Sequence, residues 1–248
     1  MTIAMQTIQP GSLWATYLDA VYKDYGDLRL ADHYIERMQG DHLELGGGTG
    51  RIMKRALMKG HKSYNIDSDP FALQICRANL MPEFGERVKL QEADFTNPET
   101  KFPKDIGLIT CMMSTITQVR SRVLRESLLA KCFNNLQIGG RLLIAILNDV
   151  QHKPGGYEKD VEGPLGVAHF VNRWDYGPDI DVKTWYVTIT VGGITQEYAF
   201  PTLLVSSSQF RTELQAAGFH IEAMYGDLDM SAFVSEESPW QIYVGKKQ

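Results

Sequence analysis

Membrane-spanning and secretory segments are missing from this sequence. No apolar run approaches the roughly 18 residues that a helix needs to cross a bilayer. The N-terminal stretch MTIAMQTIQPGSLW has neither the basic start nor the apolar core of a signal peptide. We therefore expect a cytoplasmic protein with no membrane partner.

An excess of basic charge and a cysteine framework are also missing. The chain has 25 basic and 30 acidic side chains, a formal charge of −5, which offers no electrostatic footprint for DNA or RNA. Its three cysteines, Cys76, Cys111 and Cys132, are an odd number within apolar or helical stretches, which is typical of buried thiols. We predict no disulfide and no metal site, and we expect a small molecule as the partner.

The 248 residues, 44% of them hydrophobic, are enough for one large domain or for a domain with an appendage. Predicted strands are HLELG, KSYNID, VKLQEAD, IGLITCMM and RLLIAILN. Predicted helices are RIMKRALMKG, DPFALQICRANL and SRVLRESLLAKCFNNLQIGG, the last ending at a glycine pair. This alternation predicts an α/β fold, with a mostly parallel sheet flanked by helices on both faces.

The N-terminal end and the middle of the chain differ from this alternating part. Residues 1–40 are predicted to form a cap of two amphipathic helices, interrupted near Tyr25. Residues 150–204 are rich in aromatic and β-branched residues and are predicted to be an inserted antiparallel layer without a helix. Its predicted strands are VAHFVNRWDY, DVKTWYVTITV and ITQEYAFPTLLV. A helix, SSSQFRTELQAAGF, and two strands, HIEAMYG and WQIYVGKK, then resume the core, which we assign to residues 41–149 and 205–248.

A glycine-rich turn follows the first strand in HLELGGGTGR. Residues without a side chain allow the backbone to come close to a ligand. Neither register of these glycines supplies the third glycine of the dinucleotide fingerprint GxGxxG, so a nicotinamide-dependent oxidoreductase is disfavoured. A phosphate-binding loop is disfavoured too, because no GK[ST] follows. The pattern that does fit is ExGxGxG, with Glu44, Gly46, Gly48 and Gly50.

This pattern resembles motif I of the class I S-adenosylmethionine-dependent methyltransferases. The resemblance implies a Rossmann-like sheet of seven strands with the last one antiparallel, and S-adenosylmethionine as the cofactor, with S-adenosylhomocysteine as the product. It also implies that Asp67, at the end of the second strand, binds the ribose, although a helix-capping role is the alternative. Asp94 would bind the adenine amino group beside Phe95, or would be an ordinary loop carboxylate. Arg51 would steer the cofactor carboxylate, or would be solvated.

The resemblance gives a full set of expected cofactor-binding residues. They are Tyr25, Glu44, Gly46, Gly47, Gly48, Gly50, Arg51, Asp67, Ser68, Asp94, Phe95, Cys111 and Met112. Relatives often have cysteine or alanine where this chain has Gly47. Because glycine is also small, we expect cofactor binding to be retained.

The substrate class is narrowed by what the fourth strand lacks. Methyltransferases of nucleobase or glutamine amino groups carry [DN]PP[YF] where this chain reads ITCMMSTITQV, so that class is disfavoured. A magnesium-assisted catechol-type mechanism is disfavoured because Asp149 has no acidic partner. The N-terminal YLDAVYKDY and the insertion look like those of small-molecule N-methyltransferases, which include glycine N-methyltransferases and amino-sugar N,N-dimethyltransferases.

Methyl transfer from a sulfonium is an in-line displacement, so the protein mainly aligns the reactants and excludes water. Candidates for taking up an acceptor proton are His169, Tyr198 and Glu197, each of which could equally be structural. Candidate substrate-binding residues are Tyr17, Tyr22, Met113, Asp149, His169 and Arg173. For Arg173 the alternatives are stacking on Trp174 and exposure to solvent.

The sequence therefore predicts a methyltransferase that acts on a nitrogen atom of a small molecule. We also expect a homodimer or higher homo-oligomer. An oxygen or carbon acceptor remains open. So does a non-catalytic protein that binds S-adenosylmethionine and uses its aromatic insertion to form an oligomer.

Overall fold

The computed structural model describes residues 12–23, 25–149, 152–177, 181–235 and 237–248. Residues 1–11 of the predicted N-terminal cap lie outside the described residues. Within the described part of the chain, no helix is both long and apolar enough to cross a membrane.

Seven strands form the main sheet, in the order β10-β11-β5-β4-β1-β2-β3. Their bounds are β1 Asp41–Leu45, β2 Ser63–Asp67, β3 Val88–Glu92, β4 Ile106–Cys111, β5 Leu136–Leu147, β10 His220–Tyr225 and β11 Trp240–Lys246. Strand β11 pairs antiparallel with both β5 and β10, while β3, β2, β1, β4 and β5 are mutually parallel. The predicted seven-stranded, mostly parallel sheet with an antiparallel last strand is therefore confirmed.

The helices are α1 Ser12–Val21, α2 Asp27–Ile35, α3 Arg51–Met58, α4 Pro70–Phe84, α5 Arg122–Asn135 and α6 Ser207–Ala216. Asp69 caps α4, because its Oδ1 accepts a hydrogen bond from the Phe71 amide at 2.9 Å, one residue into the turn that Pro70 begins. Ser206 caps α6, because its hydroxyl oxygen accepts a hydrogen bond from the Gln209 amide at 3.2 Å.

One predicted boundary is wrong. Helix α5 ends at Asn135, and the residues expected to complete it, 136–140, begin strand β5 instead. The register between β4 and β5 jumps from Ile106 opposite Leu136 to Leu108 opposite Arg141. Gly139, with φ 79°, lies in this irregularity, so the glycine pair bends a strand rather than ending a helix.

A second, four-stranded antiparallel sheet is formed by β6 Gly155–Gly163, β7 Gly166–Tyr176, β8 Val182–Val191 and β9 Ile194–Leu203. Three of these strands match the predicted antiparallel segments. Strand β6 was not predicted, because GGYEKDVEG lacks the apolar alternation of its neighbours.

Helix α1 packs on one face of this second sheet. Leu13 and Tyr17 form a buried cluster with Phe170, Val187 and other side chains of the inserted strands. Because successive side chains in a strand point to opposite faces, His169 and Arg173 lie on the other face of β7. The inner face therefore lies toward the helical cap, and the outer face is turned away from it.

Candidate functional site

The turn between β1 and α3 needs its glycines because of the conformation of its backbone. Gly46, Gly48 and Gly50 have φ angles of 67°, 54° and 83°, in the left-handed region that side chains disfavour. A Cβ on Gly50 would lie 2.5 Å from the Cys76 sulfur, and one on Gly46 would collide with the Thr115 methyl group. The loop therefore combines a left-handed path with close packing on its neighbours.

Strand β2 holds this loop in place. The Gly47 amide donates to Asn65 Oδ1 at 3.1 Å, and Asn65 Nδ2 donates to the Gly48 carbonyl at 3.0 Å. A Cβ on Gly47 would lie 2.7 Å from both Asn65 Oδ1 and Glu44 Cδ. Even alanine at this position would have to displace two buried side chains, so the loop as it is packed in this protein needs glycine at position 47.

Asn65 was not singled out from the sequence. The sequence does contain an indication of its role. Asn65 is a polar residue between Tyr64 and Ile66, in the strand that ends at the proposed ribose-binding aspartate.

A cavity of about 220 Å³ opens beside the loop. Of the expected cofactor-binding residues, it is lined by Glu44, Gly46, Gly47, Gly48, Arg51, Asp67, Ser68, Phe95 and Met112. Its other walls come largely from α1 and from the segment after β4, namely Trp14, Ala15, Leu18, Tyr22, Met113, Thr115 and Gln118, with Phe200 from β9. The glycine loop and the tip of β2 therefore share one cavity with the N-terminal helix.

Asp67 faces this cavity from the tip of β2. Its Oδ2 accepts a hydrogen bond from the Gly48 amide at 2.7 Å, and its Oδ1 accepts one from the Asp69 amide at 2.8 Å. A carboxylate has about four acceptor sites, so each oxygen retains one for a ligand. Burial raises the pKa of Asp67, against the backbone donors that lower it. Asp69 supplies the helix cap, so Asp67 is not needed for that role.

Glu44 lies beneath the loop and is only 4% exposed. Its Oε2 accepts a hydrogen bond from the Met53 amide at 2.9 Å. Burial raises the pKa of Glu44 to about 8, although the Met53 amide and the Arg51 charge act in the opposite direction. A cationic ligand in the cavity would favour the ionised carboxylate.

Arg51 is neither solvated nor free. Its Nη1 and Nη2 donate to the two carboxylate oxygens of buried Asp27 at 3.0 and 2.9 Å, and Nη2 also donates to the Tyr22 carbonyl at 2.9 Å. Three of its five N–H donors are thus used within the described residues. The remaining donors can orient a ligand, but the net charge of the Arg51–Asp27 pair is zero.

Four expected cofactor residues do not line this cavity. Asp94 is exposed, and its Oδ1 accepts hydrogen bonds from the Thr96 amide and hydroxyl at 2.8 and 2.7 Å, because β3 ends at Glu92 and a turn follows. Cys111 is buried in the core, Gly50 lies behind the loop, and Tyr25 lines a second cavity.

That second cavity, of about 260 Å³, is mainly aromatic. Its rings are Trp14, Tyr22, Tyr25, Tyr157, Phe170, Trp185, Phe200 and Trp240. It shares five lining residues with the first cavity, namely Trp14, Tyr22, Met113, Gln118 and Phe200. The two cavities are therefore neighbours that meet at a common wall, and most of the aromatic residues of the second were not predicted from sequence.

None of the three candidate proton acceptors lines either of these two cavities. His169, with a side chain 48% exposed, pairs with Asp160 at 2.8 Å on the outer face of the inserted sheet. Glu197 lies on the same face, since it pairs in register with Thr188, which in turn pairs with Val171. Tyr198 points inward, but its hydroxyl accepts from the Trp14 amide at 3.0 Å and donates to Gln196.

The candidate substrate residues divide in the same way. Tyr22 and Met113 line both cavities. Tyr17 is fully buried and donates to the Gly166 carbonyl at 3.0 Å, so it anchors the cap to the inserted sheet. Asp149 accepts from Lys183 Nζ at 2.6 Å, in a mostly buried pair at the end of β5. Arg173 lies on the outer face with His169.

Cys76, Cys111 and Cys132 are free and buried, as predicted. Among the described residues, no group of three or more histidine, cysteine, aspartate and glutamate side chains could hold a metal ion.

No protein-family model and no curated protein sequence matches the chain. Solved structures do match it. The CcbJ methyltransferase from Streptomyces caelestis has a TM-score of 0.76 at 16% identity, covering 94% of this chain and 98% of that chain. A S-adenosylmethionine-dependent methyltransferase from Clostridium acetobutylicum has a TM-score of 0.76 at 15% identity, over 93% and 96% of the two chains. The sugar N-methyltransferase KedS8 from Streptoalloteichus has a TM-score of 0.75 at 14% identity, over 100% and 99%.

These similarities extend over nearly the whole chain, including the helical cap and the inserted sheet. They confirm, at the level of fold, the resemblance first drawn from ExGxGxG. The chain has the fold of the S-adenosylmethionine-dependent methyltransferases.

Proposed function

We propose that the protein is a S-adenosylmethionine-dependent methyltransferase that acts on a nitrogen atom of a small-molecule acceptor. The observation that carries this proposal is the pair of neighbouring cavities that meet at Trp14, Tyr22, Met113, Gln118 and Phe200. One cavity has the glycine loop and acidic strand tip suited to a nucleoside, and the other is aromatic. Methyl transfer requires two such compartments with one contact between them.

The residues of the first cavity fit the proposed cofactor. Asp67 keeps an acceptor site on each carboxylate oxygen, which suits two neighbouring ribose hydroxyls. Phe95 offers an apolar surface for a base, and Arg51 retains N–H donors for a carboxylate. When bound, S-adenosylmethionine supplies a methyl group already activated by its sulfonium, so no nucleophilic side chain is needed.

The shared wall has the properties that an in-line transfer needs. Trp14 packs on Phe200 with ring centroids 5.1 Å apart and on Tyr22 at 6.4 Å, so the boundary is mostly apolar. These rings exclude water from the line between donor and acceptor and restrict how the acceptor can approach.

Nitrogen is favoured over oxygen by the types of side chain that line the second cavity. Among the described residues that line the second cavity there is no carboxylate and no histidine. Tyr22 is present, but burial raises its pKa, so its phenolate is scarce near neutral pH. A hydroxyl acceptor would need a base or a metal to become nucleophilic, whereas the neutral form of an amine already has a free lone pair. A sugar N-methyltransferase and glycopeptide N-methyltransferases among the similar structures agree with this choice.

Calorimetric titration with S-adenosylhomocysteine tests the cofactor part. We expect saturable binding, and no heat at millimolar ligand would refute the proposal. Methyl transfer is then measured with labelled cofactor on a panel of small amines, and on alcohols and phenols of matched shape. Transfer to amines supports the full proposal, transfer only to hydroxyls would refute the choice of nitrogen, and binding without any transfer would leave a non-catalytic binding protein.

A further inference from the structure

Among the described residues, two polar side chains of the second cavity lack the hydrogen-bond or ion-pair partner that their chemistry calls for. Asn172, on the inner face of β7, is 7% exposed, and its Nδ2 has no hydrogen-bond partner among the described residues. An unsatisfied buried amide of this kind lowers the stability of the folded protein. A ligand that hydrogen bonds to it would recover that cost.

The second side chain is Lys159, on the neighbouring strand β6. It is half-buried, and no ion pair is formed by it within the described part of the chain. Burial lowers its pKa, with no acidic group opposing that effect. Lys183, the other lysine beside this aromatic region, does form an ion pair, because its Nζ lies 2.6 Å from Asp149 Oδ2. The Lys183 ammonium is thus neutralised by Asp149, whereas the Lys159 ammonium is available to a ligand in the cavity.

The pairing register brings these two groups together. Tyr157 lies directly opposite Asn172, and Lys159 lies opposite Phe170, so Lys159 and Asn172 are diagonal neighbours on one face. The Lys159 ammonium lies 5.9 Å from the Tyr157 ring centroid. Diagonal side chains start about 7 to 8 Å apart, a gap that one carboxylate group can bridge. Rotation about the last side-chain bond of Asn172 can turn its NH₂ group toward such a ligand.

We propose that Lys159 and Asn172 form a subsite for a carboxylate, and that the methyl acceptor is therefore an amine that carries a carboxylate group. The assignment of this cavity to the acceptor rests on the proposed function. The carboxylate preference itself rests on an unpaired ammonium, an unsatisfied amide and a lining without an acidic residue. Arg173, the residue that the sequence suggested for a substrate carboxylate, lies on the opposite face of the same sheet.

Three fluorinated probes of one shape test this preference, namely 4-fluorobenzoate, 4-fluorobenzamide and 4-fluorobenzylamine. Their affinities are measured by ¹⁹F NMR titration of the full chain, with and without saturating S-adenosylhomocysteine. We expect the benzoate to bind about tenfold more tightly than the benzamide, and the benzylamine to bind most weakly, because a charge-assisted hydrogen bond is worth about one to two factors of ten.

Variants separate recognition from structure. Lys159→Met should reduce the preference for benzoate to about onefold, whereas the matched control Lys89→Met, an exposed lysine of β3, should leave it unchanged. Asn172→Leu should weaken benzoate binding without lowering the melting temperature, since it removes an unsatisfied buried group. A purely structural Asn172 would instead lower the melting temperature.

Equal binding of the three probes, tighter binding of the benzylamine, or failure of the benzoate to bind at millimolar concentration would each overturn the carboxylate subsite. Those results leave the cofactor titration untouched, so a wrong subsite is distinguishable from a wrong function. Conversely, if S-adenosylhomocysteine does not bind, the probe titrations without it still report whether the cavity prefers an anion.

Discussion

The buried Glu44 carboxyl makes the stability of the protein depend on pH in a defined direction. Its pKa is about 8 in the folded protein, whereas an unfolded chain restores the ordinary value of 4.5. Between these values the folded state holds a proton that the unfolded state has lost. The contribution of Glu44 to the free energy of unfolding is therefore fully present below about pH 4.5, and it is lost as the pH rises toward 8.

The size of the effect follows from the width of that window. Each pH unit within it changes the free energy of unfolding by about 1.4 kcal/mol, so from pH 5 to pH 8 the loss is about 4 kcal/mol. Glu44→Gln keeps the shape and cannot ionise, so the variant should lack this loss. Urea denaturation of both proteins at pH 5, 6.5 and 8 measures the difference, with Glu83→Gln, at an exposed position of α4, as the control.

Parallel stability profiles for the wild type and Glu44→Gln would refute the reasoning, because they would mean that the buried carboxyl is already ionised at pH 5. The same carboxyl provides a link to the ligand. A cationic cofactor should favour ionised Glu44, so binding at pH 7 should release protons in the wild type, and fewer in Glu44→Gln. Calorimetry in buffers of different ionisation enthalpy measures that release.

Three further substitutions test the site. Asp67→Asn should weaken S-adenosylhomocysteine binding roughly ten- to a hundredfold, about 1.5 to 3 kcal/mol, and should also lower the melting temperature, because one oxygen that accepts from the Gly48 or Asp69 amide is lost; unchanged affinity would rule out the ribose role. Gly47→Ala should destabilise the protein by about 1 to 3 kcal/mol in urea denaturation, since its Cβ would lie 2.7 Å from Asn65 Oδ1, and a neutral result would show that the loop adjusts. His169→Ala should leave methyl transfer within about twofold, as expected for a surface residue; a large loss in a labelled-cofactor assay would return it to the catalytic site.

The sheet and the glycine loop were predictable because their signals are local. Strand, turn and helix follow one another within about 20 residues, and ExGxGxG fixes where the chain bends. The seven-stranded order could be expected once that motif was matched to a fold. The end of α5 could not, because a glycine pair is equally compatible with a helix end and with a bulged strand, and only the pairing with β4 decides between them.

The residues of the second cavity were harder to predict from the sequence than the glycine loop, because they depend on which face of a strand each residue occupies. In VAHFVNRWDY the chemically suggestive residues are His169 and Arg173, and both have odd numbers. The inward positions are the even ones, which include Phe170 and Asn172. A shift of one residue exchanges the two faces, and nothing in the local sequence fixes that choice. Only the packing of α1 against the sheet determines which face becomes the cavity wall.

Helix α1 joins the two halves of the site physically. The Trp14 amide donates to the Tyr198 hydroxyl of β9 at 3.0 Å, and the Trp14 ring packs on Phe200 of the same strand. On its other side the helix lines the first cavity through Leu18, whose Cδ2 would lie 2.8 Å from a Cβ on Gly48. The glycine loop and the inserted sheet are far apart in sequence, yet both are positioned by this one helix. Changes that displace α1 should therefore alter the first and second cavities together, whereas Lys159 and Asn172, on the inserted sheet, line only the cavity proposed for the acceptor.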